Sequence, residues 1–249
     1  MAKQKQRLDQ LVVERYPHLS RAQVQSFIMQ GLVLVDGNVM TKVGSLVPSH
    51  AEIVLKTEKP RYVSRAGFKL ERAVEFFGLD VCDKVVLDAG LSTGGFTDCL
   101  LQHGARRVYG IDVGYGLVHE SLRSDGRLVV MERTNLRYLD LNAFPETVDM
   151  VTLDLSFISV MKVIPVVQQV LKPGGALIVL IKPQFEAGRE QVGRGGIITD
   201  PAVHQEVVER LSSDIGASGF KRIGVTESPI LGGSGNKEFL AYFIDMRPS

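Results

Sequence analysis

From residue 61 onward, short apolar runs alternate with segments whose apolar residues recur at helical spacing. The apolar runs that resemble buried strands lie at 85–87, 107–111, 128–131, 148–153, 176–181, 223–225 and 239–244. Helices are predicted between them, at 95–104, 160–171 and 201–218. Short apolar strands joined through helices form a mostly parallel sheet covered by helices. The sequence therefore predicts an α/β fold with a Rossmann-like, doubly wound sheet.

The first sixty residues differ in pattern and predict a separate, small α+β domain. Leu8, Leu11 and Val12 recur at helical spacing, and Ser20 is a favourable N-cap for a helix that ends at Gly31. Alternating apolar residues then flank the hairpin signal Asp36–Gly37. We expect domains over 1–60 and 61–249. The first contains eight Lys and Arg against five Asp and Glu, which favours a polyanionic partner.

Composition excludes several classes of protein. With 249 residues, 45% hydrophobic and 23% charged, the chain can bury a sizeable core. The charged start lacks the apolar region of a secretory signal, and no apolar run approaches the ~18 residues of a membrane span. Cys82 and Cys99 are expected to be buried thiols, and no Cys/His cluster suggests a metal. We expect a cytoplasmic protein without a metal or membrane partner.

A glycine-rich turn, DAGLSTGGFTD at residues 88–98, directly follows the strand at 85–87. Gly90, Gly94 and Gly95 allow a tight turn close to a ligand. The spacing differs from the G-x-G-x-x-G that binds a dinucleotide pyrophosphate. Asp88 would also repel a pyrophosphate, but it suits a cationic ligand. Both features argue against a nicotinamide-dependent oxidoreductase.

Two further polar residues follow neighbouring strands, and together with the turn they indicate a nucleoside ligand. Asp112 ends the strand at 107–111, where a carboxylate can accept hydrogen bonds from both hydroxyls of a ribose. Asn135 follows the next strand and can bind the edge of an adenine. An adenosine that carries a positively charged tail describes S-adenosylmethionine, which we predict as the cofactor.

Two lysines and two acids form a third group, again next to predicted strands. Asp154 and Lys182 directly follow strands, while Lys69 precedes the sheet and Glu238 precedes the last strand. One lysine in such a group can take a proton from a hydroxyl while the carboxylates orient it. The same four residues can equally form two structural ion pairs. Spacing alone supports both interpretations to the same degree.

The front segment resembles a small RNA-binding domain found in a small-subunit ribosomal protein, pseudouridine synthases and tyrosyl-tRNA synthetases. The resemblance rests on RLDQLV followed by LSRAQVQSFIMQGLVLVDGNVMTK. It implies contacts with RNA phosphates, which carry no base sequence information. The implied RNA-binding residues are Arg21, Gln25, Lys42 and Arg65. For Arg21 and Lys42, the alternative is that each is merely a solvated surface charge.

Almost the whole chain resembles the hemolysin A (TlyA) family, whose larger domain is similar to FtsJ-type ribose 2′-O-methyltransferases of RNA. The motifs SRAGFKL, LDAGLSTGGFTD, DVGYG, ERTN, DLSFIS, KPQFE and SGNKEF occur in order. The resemblance implies S-adenosylmethionine binding through Asp88, Gly90, Ser92, Thr93, Gly94, Gly95, Asp112 and Asn135. It implies a catalytic set of Lys69, Asp154, Lys182 and Glu238. Lys182 is our candidate base because its strand is the most apolar.

The implied fold is that of a class I S-adenosylmethionine-dependent methyltransferase, and the implied substrate is ribosomal RNA. Two alternatives from other functional classes stay open. The family's hemolysin name suggests a membrane-lysing protein, although the sequence has no long apolar segment or basic amphipathic helix. The other alternative is an RNA-binding protein without catalytic activity, against which the full polar set argues. The sequence indicates neither the target nucleotide nor an oligomeric state.

Overall fold

The computed structural model describes residues 5–56, 61–141, 144–233 and 235–248. These residues form two compact units that divide between Arg65 and Ala66. The boundary that we predict between residues 60 and 61 adjoins residues 57–60, which lie outside the described part of the chain. The exact boundary therefore stays a prediction.

The first unit combines two helices with two small antiparallel sheets. Its strands are β1 (Lys5–Arg7), β2 (Val33–Val35), β3 (Asn38–Met40), β4 (Leu46–Pro48) and β5 (Ile53–Leu55). Its helices are α1 (Leu8–Arg15) and α2 (Arg21–Met29). β1 pairs with β4, and β2 lies between β3 and β5. Apolar residues of both helices and of the strands share one buried core.

Local sequence signals explain how these elements begin and end. The Ser20 side chain accepts a hydrogen bond from the backbone N–H of Gln23, and the Gln23 side chain accepts one from Ser20 N–H, which completes a capping box. Asp36 and Gly37 have φ angles of 48° and 77°, as a two-residue hairpin turn requires. The helix start and the hairpin predicted from the sequence are both present.

The second unit is a seven-stranded sheet packed with helices. Its strands are β6 (Val85–Ala89), β7 (Arg107–Ile111), β8 (Leu128–Met131), β9 (Val148–Leu153), β10 (Leu171–Ile181), β11 (Phe220–Glu227) and β12 (Phe239–Asp245). Its helices are α3 (Ala66–Phe77), α4 (Gly95–Gln102), α5 (Glu120–Arg123), α6 (Ile164–Val170), α7 (Pro183–Glu186) and α8 (Pro201–Ala217). The strand order is β11-β12-β10-β9-β6-β7-β8, and β12 runs antiparallel to its neighbours. The predicted α/β fold with a mostly parallel sheet is confirmed.

One local prediction is confirmed only in part, and another is wrong. The helix predicted over 160–171 is present as a short 3₁₀ turn, Val160–Lys162, followed by α6. Pro165 supplies no backbone N–H and lies in the first turn of α6, where that N–H would have no partner within the helix. One continuous helix from Val160 would need this N–H, which explains the break at Val163. Cys99 is buried as expected, but Cys82 is exposed because it lies in the turn between α3 and β6. No helix in the described residues is long and apolar enough to cross a membrane.

The sheet places the predicted site residues together at the carboxyl ends of its parallel strands. β6, β7, β9 and β10 are parallel, so their carboxyl ends lie together. β12 runs the opposite way, and its first residue, Phe239, pairs with Ile181, the last residue of β10. Lys182 and Glu238 therefore lie beside each other in register at this edge, next to the end of β9.

Candidate active site

A cavity of about 420 Å³ opens at the carboxyl ends of β6, β7 and β9. Of the predicted cofactor residues, Gly90, Ser92, Asp112 and Asn135 line it, and so does Asp154 from the predicted catalytic set. Its apolar wall was not foreseen from the sequence and consists mainly of Ile111, Val113, Leu117, Leu136, Leu155, Phe157, Ile158 and Val163. Ligands of open α/β sheets bind in this type of position.

Gly90 shapes the floor of the cavity. Its φ is +90°, and a Cβ built there would lie 2.3 Å from the backbone oxygen of Asp154. The N–H groups of Gly90 and Leu91 both donate to the Ile111 carbonyl, at 2.9 and 3.1 Å. The backbones of β6, β7 and β9 thus approach so closely at this turn that only glycine fits.

Asp112 presents a fixed carboxylate to the cavity. Its Oδ2 accepts a hydrogen bond from Ser92 N–H at 2.7 Å, and its Oδ1 accepts one from Gly114 N–H at 2.6 Å. These bonds hold the side chain in one orientation while leaving acceptor capacity on both oxygens. Asn135 is oriented in a similar way, because its Oδ1 accepts from Arg137 N–H at 3.0 Å and caps a short 3₁₀ turn.

Four of the predicted cofactor residues are not among those that line the cavity: Asp88, Thr93, Gly94 and Gly95. Asp88 is fully buried, and its two carboxylate oxygens accept hydrogen bonds from the hydroxyls of Thr97 (2.7 Å) and Thr152 (2.8 Å). Burial raises the pKa of Asp88 to about 6, and the nearby Asp154 charge adds to this rise. The Asp88 carboxylate therefore supports the turn from within, and its role in binding the cofactor stays a prediction.

Lys182 and Asp154 form an ion pair next to the cavity, with 2.6 Å between Nζ and Oδ1. The Lys182 ammonium also donates to Ser156 Oγ at 2.9 Å. Only 11% of the lysine side chain and 16% of the aspartate side chain are exposed, so solvent screens the pair weakly. Lys182 follows the apolar end of β10, and Asp154 follows the end of β9.

Lys69 and Glu238 form a second ion pair, with 2.5 Å between Nζ and Oε2. Both side chains are buried, and α3, which carries Lys69, packs against β12. Glu238 is accommodated by Gly232, where a Cβ would lie 2.2 Å from Glu238 Oε1. The four predicted catalytic residues thus form two pairs at one edge of the sheet, and only Asp154 lines the cavity directly.

Phe157 is a feature that sequence reasoning did not single out. Its side chain is 90% exposed, and its φ of +64° is unusual for a bulky residue. The ring packs on Phe185 of α7, with 4.8 Å between ring centroids. The signal that could have revealed it is an aromatic residue inside the polar segment DLSFIS, directly after the acid that ends β9.

In the first unit, two arginines converge on a buried acid. Asp9 is fully buried, and its carboxylate accepts hydrogen bonds from Arg7 (2.9 Å) and Arg21 (3.0 Å). The Arg7 hydrogen bond lowers the pKa of Asp9 to about 2. Arg7 was missed from the sequence, although it lies within RLDQLV. Because one carboxylate meets two guanidinium groups, this cluster keeps a net positive charge.

The other three predicted RNA-binding residues are Lys42, Gln25 and Arg65, and they differ in how they are placed relative to Arg7 and Arg21. Lys42 is exposed in the turn before β4, whose Leu46 pairs with Arg7. Gln25 is half-buried on α2, one helical turn after Arg21. Arg65 is half-buried directly before α3, and the described hydrogen bonds and ion pairs do not join it to the arginine cluster.

Residues 62–244 match the FtsJ-like methyltransferase family, and residues 6–53 match the S4 domain. The 16S/23S rRNA (cytidine-2′-O)-methyltransferase TlyA of Mycobacterium tuberculosis is 40% identical over 95% of this chain and 88% of its own length. The chain belongs to the TlyA family of FtsJ-like methyltransferases. The resemblance predicted from the ordered motifs is confirmed.

Other similar proteins carry the name hemolysin. Hemolysin A of Brachyspira hyodysenteriae is 41% identical over 96% of this TlyA-family chain and 99% of its own length. A solved structure from Streptococcus thermophilus, assigned as a hemolysin, is 40% identical with a TM-score of 0.75 and covers 98% of this chain and 90% of that one. The names TlyA methyltransferase and hemolysin are thus both given to proteins that are similar to this chain over nearly their full length. The match to the FtsJ-like family identifies this chain as a methyltransferase.

Proposed function

We propose that this TlyA-family enzyme transfers a methyl group from S-adenosylmethionine to a ribose 2′-hydroxyl of ribosomal RNA. The observation that carries the proposal is the partly buried Lys182–Asp154 ion pair. It borders a cavity that also contains the oriented Asp112 carboxylate. The printed name of the Mycobacterium tuberculosis relative, a cytidine-2′-O-methyltransferase acting on 16S and 23S rRNA, agrees with this reaction.

The residues of the cavity fit S-adenosylmethionine. Gly90 lets the backbone that follows β6 lie directly against the backbone of Asp154, and both residues line the cavity. Asp112 would accept hydrogen bonds from the two ribose hydroxyls, and the Asn135 side chain would bind the adenine edge. The acid Asp154 lies on the wall where a cationic tail would end. When bound, S-adenosylmethionine supplies an electrophilic methyl group carried by a positively charged sulfur.

Lys182 then acts as the base for the attacking hydroxyl. In its neutral form, Nζ would take the proton of the 2′-hydroxyl while the ribose oxygen forms a bond to the methyl carbon. The bond between that carbon and the sulfur would break, and its electron pair would stay on the sulfur, which becomes a neutral thioether. Asp154 and Ser156 hold Nζ in place, so the hydroxyl is positioned before it reacts. Lys69 and Glu238 form the second pair of the set and complete the polar network at the same edge.

We assign RNA recognition to the first unit. Arg7, Arg21 and Lys42 would contact phosphates, because guanidinium and ammonium groups bind the RNA backbone without reading its bases. Gln25, on the same helix as Arg21, and Arg65, before α3, extend this proposed contact set. Phe157 would stack on an unpaired base near the cavity, since exposed aromatic rings bind splayed-out bases of RNA.

Lys182→Met tests the proposed base. The matched control is Lys172→Met, because Lys172 lies on β10, the strand that Lys182 directly follows, and also forms a 2.6 Å ion pair, with Asp149. We expect Lys182→Met to slow methyl transfer to ribosomal subunits by about 10² to 10⁴-fold, as for loss of a general base. Cofactor affinity, measured by calorimetry, should change little, and Lys172→Met should retain normal transfer.

Full activity of Lys182→Met would contradict the assignment. Neither the family match nor the site favours the membrane-lysing alternative, and the two paired lysines argue against an RNA-binding protein without catalysis.

A further inference from the structure

Asn236 lies two residues before Glu238, and its buried side chain connects the loop before β12 to the loop before α8. Its Oδ1 accepts a hydrogen bond from Ile198 N–H at 2.9 Å, and its Nδ2 donates to the Gly196 carbonyl at 2.8 Å. Only 1% of the residue is exposed. Both polar groups of the amide are therefore used, on backbone atoms of a single segment that lies 38 to 40 residues earlier in the chain.

The backbone of Asn236 closes a tight turn against Gly232. The Gly232 N–H donates to the Asn236 carbonyl at 2.9 Å, and Gly235 N–H donates to the Gly232 carbonyl at 2.9 Å. Gly232 is the residue against which the Glu238 carboxylate rests, since a Cβ there would lie 2.2 Å from Oε1. The position of Gly232, and with it the space left for Glu238, is thus set by the turn that Asn236 fixes.

Glu238 is held on its other side by the sheet. Its carbonyl accepts a hydrogen bond from Ser228 N–H at 2.9 Å, and β12 begins at the next residue. Its carboxylate therefore occupies a gap between a strand and a turn, and it reaches Lys69 from there. Any movement of the turn would change where the carboxylate, and hence the Lys69 ammonium, comes to lie.

We infer that Asn236 is a positioning residue for the methyl transfer, and that it acts by holding Gly232 against Glu238 so that Glu238 orients Lys69. The inference rests on the proposed function, in which the Lys69–Glu238 pair belongs to the catalytic set. Within the described residues, the side-chain hydrogen bonds of Asn236 reach neither Lys69 nor the cavity lining. We therefore assign its effect on the reaction to Glu238.

The first test is Asn236→Ala, with Asp245→Asn as the matched control. Asp245 is a buried polar residue at the opposite end of β12, where it pairs with Arg247. We expect both variants to lower the melting temperature. Asn236→Ala should also lower kcat by about 10 to 100-fold, because small misplacements of catalytic groups have effects of this size. KM for the RNA and cofactor affinity should stay within about twofold.

A second variant displaces the Glu238 carboxylate without changing Asn236. Gly232→Ala leaves the Asn236 amide intact but places a methyl group against the Glu238 carboxylate. It should reproduce the loss of kcat at assay temperatures where circular dichroism shows the protein to be folded. This variant keeps the test decisive if Asn236→Ala does not fold.

Combination with Lys69→Met separates positioning from a general structural role. If Asn236 acts through the Glu238–Lys69 pair, Asn236→Ala should lower the single-turnover rate no further in the Lys69→Met background. Losses that multiply, or a kcat for Asn236→Ala and Gly232→Ala equal to that of Asp245→Asn, would overturn the inference. Normal kcat in Lys69→Met would instead contradict the proposed catalytic set.

Discussion

Asp88 is a fully buried acid with two hydroxyl partners, and its ionisation should be visible in the stability of the protein. Its pKa of about 6 lies above the ordinary value of 3.8, because burial disfavours the charged form more than Thr97 and Thr152 favour it. Because the pKa of this carboxyl is higher in the folded protein than in the unfolded chain, where it is about 4, protonation of Asp88 stabilises the fold. This contribution is complete when the pH is below about 4. That contribution is lost as the pH rises through 6.

The substitution Asp88→Asn removes this ionisation while keeping the size of the side chain. We expect the stability advantage of the unaltered protein over the variant to shrink by about 2 kcal/mol between pH 4 and pH 7. Denaturant unfolding at intervals across this range measures the free energy of unfolding. A difference that does not vary with pH would mean that Asp88 titrates normally in the folded protein.

At the scale of elements, the conformation of the turn between β6 and α4 depends most strongly on Gly90. Gly90→Ala would add a methyl group 2.3 Å from the Asp154 backbone oxygen, which cannot retreat because Asp154 N–H is bonded to the Ala89 carbonyl at 2.9 Å. We expect cofactor affinity to fall by about 10-fold or more, since the floor of the cavity and Asp154 must both shift.

Gly174→Ala is the control for this effect. Gly174 has a comparable φ of +74°, but a Cβ there would meet nothing within 4 Å. It should therefore lose only about 1–2 kcal/mol of stability to backbone strain and bind the cofactor normally. Calorimetric titration with S-adenosylmethionine compares the two variants. Equal affinities would show that the contact at Gly90 can relax.

The elements themselves were largely predictable, because their signals are local. Apolar runs located the central strands, Ser20 marked a helix start, and Gly90 marked the turn. What the sequence could not supply depends on contacts between distant elements. The partners of Asp88 come from α4 and β9, and the partition of the lysines and acids into two pairs follows from the antiparallel register of β12.

At the scale of the whole molecule, the two units have separate buried cores and opposite net charges. Their stabilities should therefore respond separately to substitution. Asp9 allows this to be tested, because it is fully buried in the first unit and holds Arg7 and Arg21 there. Its lowered pKa means that this contribution is complete above about pH 4 and is lost as the pH falls towards 2.

Asp9→Asn should destabilise the first unit by about 1–3 kcal/mol at neutral pH, because it leaves two arginines with a weaker acceptor. Hydrogen exchange should accelerate for amides in 8–55 and stay unchanged for those in 85–181. The difference from the unaltered protein should shrink below pH 4, where Asp9 begins to take up a proton. Equal acceleration in both ranges would mean that the chain unfolds as one cooperative unit, and the charge cluster proposed for RNA binding would then also stabilise the catalytic fold.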